Sequence, residues 1–222
     1  MTLYKIQKSS QKVSIGKIIC LVRSYLSHAA EMSTPVTKHP LFFLKPTSSI
    51  IFHNQSILIP NLSHDIQHEV ELGIVMGKQC RHIDKKDALD YIFGYLVAID
   101  ITARDIQQEA KQHGWPWSIA KGFDTFCPIS SIVLKKNILN PHDLNLSLKV
   151  NGKLRQFGST SQLIFPVQSI ISYISKIMTL KKGDLILTGT PEGVQSLKEG
   201  DCLEAELEGY CYLKVFVKKN FI

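Results

Sequence analysis

Residues 68–76, HEVELGIVM, contain the feature that decides how this chain folds and where its chemistry lies. The run is mostly apolar and predicts a buried β-strand. Side chains at alternate strand positions share a face, so Glu69 and Glu71 point the same way. A third acid, Asp100, ends a second apolar run that begins at residue 96. The pattern therefore predicts three carboxylates that converge on one divalent cation.

The two glutamates also fit a strand with one solvated face, because polar and apolar residues alternate from 67 to 72. Asp100 is harder to explain in this way. It lies within an apolar run, where an acid that faces a core needs a partner or a metal. Ligands that are all oxygen select a hard cation, Mg²⁺ or Mn²⁺, and the absence of thiolate or imidazole partners argues against zinc.

Short apolar runs separated by turn residues recur along the chain and favour a β-rich domain. Asn151-Gly152, between predicted strands 144–150 and 153–157, is the strongest hairpin signal. The fold class expected from the pattern is β-rich α+β. Further strands are predicted at 17–23, 41–45, 50–52, 57–59, 93–102 and 185–187, and in a hairpin from 202 to 217.

Four short helices are predicted beside these strands. Ser24 is placed to cap a helix over 24–32, and helices over 84–91 and 103–113 follow, the latter ending at Gly114. Pro166 opens the fourth helix. Its apolar residues share one face at helical spacing. They are Ile170, Ile171, Ile174, Ile177 and Met178.

The composition is that of an ordinary globular chain of 222 residues, 44% hydrophobic and 20% charged. We expect one domain, residues 16–222, after an N-terminal extension, residues 1–15. Five scattered cysteines predict reduced thiols in the cytoplasm, and no apolar stretch reaches the roughly 20 residues that span a bilayer. The charge of +7 is dispersed, so we expect a small anionic substrate, and no nucleic-acid or membrane partner.

Six segments, in order and over almost the whole chain, resemble the fumarylacetoacetate hydrolase family. Within the family, the chain is most similar to the small single-domain acylpyruvases that also decarboxylate oxaloacetate. The resemblance implies a mixed β-sandwich roll with short flanking helices, a bound Mg²⁺ or Mn²⁺, and a homodimer. The matching segments are 16–28, 43–46 (FLKP), 68–72 (HEVEL), 94–105 (GYLVAIDITARD), 121–124 (KGFD) and 188–194 (TGTPEGV).

The resemblance assigns four residues to the reaction centre. Glu69, Glu71 and Asp100 match the family's metal-binding carboxylates, and Lys121 matches its active-site lysine. Three carboxylates and one divalent cation carry one net negative charge, so an approaching dianion needs further positive charge. Lys121 can supply that charge.

Four more residues are expected to contact the substrate. Arg23 and Lys45 are cations at strand ends, although each also fits an ordinary strand-end charge. Gln107 matches a polar position that the subfamily uses near the substrate. Thr190 lies in the Gly-Thr-Pro turn, whose hydroxyl and amides can hold a carboxylate. From spacing alone, Gln107 also fits a helix-surface amide and Thr190 a turn former.

His28 and Glu31 are three residues apart, within hydrogen-bond reach on one helical turn. A carboxylate can orient an imidazole and raise its basicity, although such pairs also occur on solvated helices. In the acylpyruvase-like members, a histidine and a glutamate at this spacing lie on a lid helix and activate water. The resemblance therefore implies that His28 is the general base and Glu31 its partner.

The function implied by the resemblance is hydrolysis of a carbon–carbon bond in acylpyruvates, such as acetylpyruvate or fumarylpyruvate, to pyruvate and a carboxylic acid. Decarboxylation of oxaloacetate leads to the same pyruvate enolate and is expected at the same site. Two alternatives stay open. One is an isomerase or hydratase acting on unsaturated 2-oxo dicarboxylates such as 2-hydroxyhepta-2,4-diene-1,7-dioate, and the other is a non-catalytic binding protein on the same fold.

Overall fold

The computed structural model describes residues 2–25 and 37–219. Within them lie fifteen strands and three short α-helices, which confirms the predicted β-rich fold. The strands are β1 (Ile18–Val22), β2 (Leu41–Lys45), β3 (Ile50–Phe52), β4 (Ser56–Ile59), β5 (Ile66–Gln67), β6 (Val70–Met76), β7 (Ile92–Ile99), β8 (Thr102–Ala103), β9 (Cys127–Ile129), β10 (Val133–Leu134), β11 (Asn145–Val150), β12 (Lys153–Ser159), β13 (Leu185–Leu187), β14 (Cys202–Leu207) and β15 (Cys211–Lys219). The helices are α1 (Arg104–His113), α2 (Ser118–Gly122) and α3 (Val167–Ile177).

Two mixed sheets form the body of the protein. The larger has the order β2-β1-β13-β6-β7-β9-β3, with β10 also paired to β7, and the smaller has the order β12-β11-β14-β15-β4. Pairs β1/β13, β3/β9 and β4/β15 are parallel, and the other pairs in these sheets are antiparallel. The main hydrophobic core takes side chains from both sheets and from α3. The sheets therefore pack face to face, as the predicted sandwich requires.

The hairpin predicted at Asn151-Gly152 is confirmed. Asn151 has φ 52° and Gly152 has φ 76°, so both central residues are left-handed, as a type I′ turn requires. Strands β11 and β12 pair on either side of this turn. The strongest hairpin signal in the sequence thus joins two neighbouring strands of the smaller sheet.

Three element predictions need correction. Residues 84–91 form turns and a 3₁₀ segment, Ala88–Tyr91, because the amides of Asp87, Ala88 and Asp90 bond to carbonyls three residues earlier instead of four. The strand expected over 93–102 ends at Ile99, since Thr102–Ala103 pairs with β5 instead. In α3, Ile170, Ile171 and Ile174 are buried as expected, but Ile177 is 52% exposed because the helix ends there.

The N-terminal residues that the structure describes pack against the domain. Tyr4 and Val13 are buried, and the Tyr4 hydroxyl donates to the Gly183 carbonyl at 3.0 Å. The domain boundary at residue 16 stays a prediction. The helix expected over 24–32 lies outside the described residues except for its first two positions. No helix of the described residues is both long and apolar enough to cross a membrane.

One edge of the larger sheet gathers the segments that the sequence marks as functional. The parallel strands β1 and β13 both end there, and β6, the antiparallel neighbour of β13, begins there. Strand β7, antiparallel to β6, ends at the same edge. Chain segments that leave these four strands therefore meet at one place, although they are far apart in sequence.

Candidate active site

The three predicted metal ligands lie together at this sheet edge. Val70 pairs with Ile99, and the amide of Asp100 donates to the carbonyl of Glu69 at 2.8 Å, so the register places the two acids side by side. Glu69, Glu71 and Asp100 each offer a carboxylate oxygen, and these oxygens lie within 4.8 Å of one another. All three residues are buried. A buried group of three carboxylate oxygens has the donor chemistry that Mg²⁺ and Mn²⁺ prefer.

Lys121, on α2, places its ammonium between two of these acids. Its Nζ donates to Glu69 Oε2 at 2.8 Å and to Asp100 Oδ2 at 2.7 Å. Burial lowers the pKa of Lys121, but the charges of Asp100 and Glu69 outweigh it and raise the pKa above its ordinary value. The ammonium is thus a stand-in cation at the carboxylates, and its position supports a cation site there.

Glu71 differs from the other two acids, because no ion pair of Glu71 is found among the described residues. Its Oε2 accepts a hydrogen bond from the Gly189 amide at 2.6 Å. Burial raises the pKa of Glu71 well above its ordinary value, and the charges of Asp100 and Glu69 add to the effect. A buried carboxylate in this position is costly unless a cation accompanies it, so Glu71 is the strongest indication that the site takes a metal.

Arg104 is a site residue to which the sequence analysis gave no role. It begins α1, is 4% exposed, and donates from Nη2 to Glu69 Oε1 at 2.5 Å. Its other donors bind Gln67 Oε1 at 2.8 Å and Gln107 Oε1 at 2.6 Å. A signal for Arg104 was present in the sequence, because it lies in the matched segment 94–105, directly after a buried strand and four residues from Asp100. Arg104 holds Glu69 in position and neutralises it.

The predicted substrate contacts do not all lie in the same place. A cavity beside the carboxylates, which we call the site cavity, is bordered by Arg23, Gln107 and Thr190, in addition to Lys121. Lys45 is not among its lining residues. The Lys45 Nζ is buried and donates to Asp100 Oδ1 at 2.6 Å and to the Ile101 carbonyl at 3.1 Å. Lys45 therefore neutralises Asp100 from the side away from the cavity.

His28 and Glu31 lie outside the described residues. The roles given to them from the resemblance stay predictions. Substrate contact also stays a prediction for four residues whose positions and protein partners the structure gives: Arg23, Lys45, Gln107 and Thr190.

A buried glutamine, Gln156 on β12, orients Thr190. Its Oε1 accepts from the Val70 amide at 3.0 Å, and its Nε2 donates to the Pro191 carbonyl at 2.9 Å. These two backbone partners fix which end of the amide is oxygen. Gln156 Nε2 also donates to Thr190 Oγ1 at 2.8 Å, so the threonine hydroxyl accepts there and keeps its own hydrogen for an acceptor in the site cavity.

Gly189 connects the backbone to Glu71, and its replacement by alanine tests that link. Gly189 has φ 88°, and a Cβ on it would lie 2.9 Å from Ser24 Cβ. The Gly189→Ala variant is expected to displace the amide that holds Glu71. Because groups that orient metal ligands typically contribute 10–100-fold to affinity, we expect Mn²⁺ to bind about 10–100-fold more weakly, as measured by calorimetric titration.

Gly200→Ala is the matched control for this variant. Gly200 has φ 90°, but a Cβ there would meet nothing within 4 Å. Both variants carry the same conformational cost of about 1–2 kcal/mol, so a difference in Mn²⁺ affinity reports the contact at Glu71 alone. Equal Mn²⁺ affinities in the two variants would show that the Gly189 amide does not position Glu71.

Comparison with known proteins identifies the scaffold. Residues 17–218 match the model of the fumarylacetoacetate (FAA) hydrolase C-terminal family. The chain belongs to this family. The match extends over nearly all of the described residues, so the family fold includes both sheets and the site at their edge.

Relatives in the fumarylacetoacetate hydrolase family support the same assignment. The chain is 48% identical over 202 residues to human mitochondrial oxaloacetate tautomerase FAHD1, covering 91% of each protein. A crystal structure of fumarylpyruvate hydrolase from Pseudomonas aeruginosa, in complex with Mn²⁺ and pyruvate, matches with a TM-score of 0.95 and 31% identity, covering 99% of this chain and 96% of that one. The 2-hydroxyhepta-2,4-diene-1,7-dioate isomerase from Mycobacterium marinum matches with a TM-score of 0.84 and 34% identity, covering 99% and 78%.

These family members are named for three different reactions on one scaffold. Family membership therefore establishes the fold and the kind of site, while the reaction has to be argued from the residues of the site. The predicted family and fold are confirmed, and a Mn²⁺ complex is known for a relative of the same fold.

Proposed function

We propose that this protein is a Mg²⁺- or Mn²⁺-dependent enzyme that interconverts the keto and enol forms of oxaloacetate. The observation that carries the proposal is the buried group of Glu69, Glu71 and Asp100, with the Lys121 ammonium beside it. The similarity to oxaloacetate tautomerase over 91% of the chain supports this choice of substrate.

A divalent cation held by these carboxylates would polarise the 2-oxo group and stabilise the negative charge of an enolate. The chain's own residues have separate tasks. The Thr190 hydroxyl, oriented by Gln156, is available to donate to the substrate carboxylate at C1. The Lys121 ammonium, which borders the site cavity and stays protonated because its pKa is raised, offers a fixed positive charge and a hydrogen bond to the enolate. Tautomerisation moves one proton between the C2 oxygen and C3, so atoms balance without water.

A second candidate is hydrolysis of acylpyruvates, together with decarboxylation of oxaloacetate. The match to a fumarylpyruvate hydrolase that was crystallised with Mn²⁺ and pyruvate favours it. Cleavage between C3 and C4 leaves the enolate of pyruvate, so the same stabilising residues serve. Hydrolysis also consumes water, whose activation we assign to His28 and Glu31. The match to an isomerase supports a third reaction on the same scaffold. The buried group of three carboxylates argues against a non-catalytic role.

Two assays on one preparation test the proposal. The enol of oxaloacetate absorbs in the ultraviolet more strongly than the keto form, so its loss is followed directly with Mn²⁺ and with a chelator. Pyruvate release from fumarylpyruvate and acetylpyruvate is followed in parallel. We expect enol-to-keto conversion that disappears with the metal. Conversion that persists after complete chelation would refute the metal-dependent mechanism, and pyruvate release without tautomerisation would favour the hydrolase.

The oligomeric state and the location of the protein are further proposals. A homodimer is proposed from the family resemblance alone, and light scattering in solution tests it. A reducing compartment is proposed because the five cysteines are free and four of them are buried. The cytoplasm was predicted, while the human relative is named as mitochondrial, so tagged protein in intact cells has to decide between these two compartments.

A further inference from the structure

Helix α1 presents three polar residues to the site cavity. Arg104, Gln107 and Lys111 are spaced at i, i+3 and i+7, which places them on one face of the helix. All three border the cavity. The first two are buried and hydrogen-bonded to each other, whereas Lys111 lies one turn further along, where its side chain lines the cavity and keeps contact with solvent.

The cations around the cavity fall into two groups. Arg104, Lys121 and Lys45 each bind a carboxylate of the metal site. Lys111 and Arg23 also carry positive charge, but within the described part of the chain neither side chain has an ion pair or a hydrogen bond. The Lys111 ammonium lies 5.3 Å from the centre of the Trp117 ring, which steadies it at the cavity wall.

Lys111 and Arg23 are not needed to balance the negative charges of the site. The three acids are matched by Lys45, Arg104 and Lys121, and a divalent cation would add to the positive side. Partial burial lowers the pKa of Lys111, and the nearby charges of Arg104 and Arg23 lower it further. Like charges are thus crowded at the cavity wall, and an anion that enters relieves their repulsion.

We propose that Lys111, together with Arg23, binds the second carboxylate of the substrate, so that the site selects 2-oxo dicarboxylates over 2-oxo monocarboxylates. The inference rests on the proposed function, because it assumes that the metal and Thr190 hold the 2-oxo acid end. Lys111 is then a specificity residue, and its contribution is specific to substrates with a carboxylate at the far end.

Matched substrates and variants test this role. Oxaloacetate and phenylpyruvate both have a 2-oxo acid end and an enol form that absorbs in the ultraviolet, but only the first has a distal carboxylate. For Lys111→Met, we expect kcat/KM for tautomerisation of oxaloacetate to fall about 10–100-fold, mainly through KM, because a charge-assisted hydrogen bond is lost. The value for phenylpyruvate should stay within about threefold of the wild type, and Lys111→Arg should restore most of the loss.

Lys78→Met is the control variant. Lys78 is also an exposed lysine over an aromatic ring, 5.9 Å from the centre of Tyr91, but it does not border the site cavity. It removes the same charge and the same kind of ring contact. An equal loss in Lys78→Met, or an equal loss for both substrates in Lys111→Met, would overturn the proposal.

A binding experiment separates this inference from the proposed function. The Mn²⁺-loaded protein is titrated with 2-oxoglutarate and with 2-oxobutyrate, which differ by one carboxylate. If the wild type turns over no 2-oxo acid, the proposed function fails. A preference for 2-oxoglutarate that is lost in Lys111→Met still supports the carboxylate site, and equal binding of the two compounds to the wild type refutes it.

Discussion

Replacing Lys121 with methionine is expected to destabilise the metal-free protein by about 1–3 kcal/mol, because two buried carboxylates each lose a charged hydrogen-bond donor. Glu69 keeps Arg104 and Asp100 keeps Lys45, so the fold should persist. Added Mn²⁺ should restore stability by more than it stabilises the wild type, since no ammonium competes for the same oxygens. Activity should nevertheless fall by about 10²–10³, because the enolate has lost a fixed positive charge.

Lys135→Met is the control for the loss of one lysine ion pair. The Lys135 ammonium lies 3.1 Å from Asp90 in a largely exposed pair, so its removal should change stability by about 0–1 kcal/mol and leave the Mn²⁺ response unchanged. Thermal unfolding with chelator and with Mn²⁺ measures both effects. A Lys121→Met protein whose stability responds to Mn²⁺ no more than the wild type would show that the ammonium does not occupy a cation position.

Replacing Glu71 with glutamine is expected to stabilise the metal-free protein and to abolish metal binding at the same time. The amide keeps an oxygen for the Gly189 hydrogen bond while the buried charge disappears. Burial, together with the charges of Asp100 and Glu69, raises the pKa of Glu71, so keeping this side chain in the folded protein costs stability at neutral pH, and that cost disappears with the amide. Activity should fall to the level of the chelated wild type, because a neutral amide is a much poorer ligand for a hard cation.

Glu206→Gln makes the same chemical change on the exposed face of β14. Its effect on stability should lie within about 0.5 kcal/mol, with full Mn²⁺ affinity. Unfolding in denaturant with chelator gives the stabilities, and calorimetry gives the affinities. Wild-type Mn²⁺ affinity in Glu71→Gln, or a loss of stability without metal, would contradict the role given to Glu71.

Local signals in the sequence predicted most of the fold. The Asn151-Gly152 turn and the apolar run 68–76 can each be recognised from a few consecutive residues. In the structure, strands lie at the expected places in both segments. Strands β5 and β8 were missed because two-residue strands exist only through pairing with each other, which no local pattern reports. The helix expected over 84–91 was wrong because the amides there bond to carbonyls three residues earlier, a choice that the sequence pattern does not report.

The site residues that could be predicted without the family resemblance are those whose positions follow from their spacing in the sequence. Alternation placed Glu69 and Glu71 on one side, and the exit of an apolar strand marked Asp100. The partners of these acids were not predictable in the same way, because Lys45 and Arg104 come from other segments and reach the acids only in the folded chain. The same is true of Gln156, which binds the Val70 amide between the two glutamates. The family resemblance supplied Lys121, and the comparisons then added tautomerisation to the reactions that the sequence had suggested.

The central claim is that Glu69, Glu71 and Asp100 together hold a catalytic divalent cation. Anomalous diffraction at the manganese edge, on crystals grown with Mn²⁺ and pyruvate, tests it most directly. The account predicts one Mn²⁺ at about 2.1 Å from an oxygen of each carboxylate, with the Lys121 ammonium moved away from the metal position. An ordered Mn²⁺ bound elsewhere, with Lys121 still between Glu69 and Asp100, would contradict it.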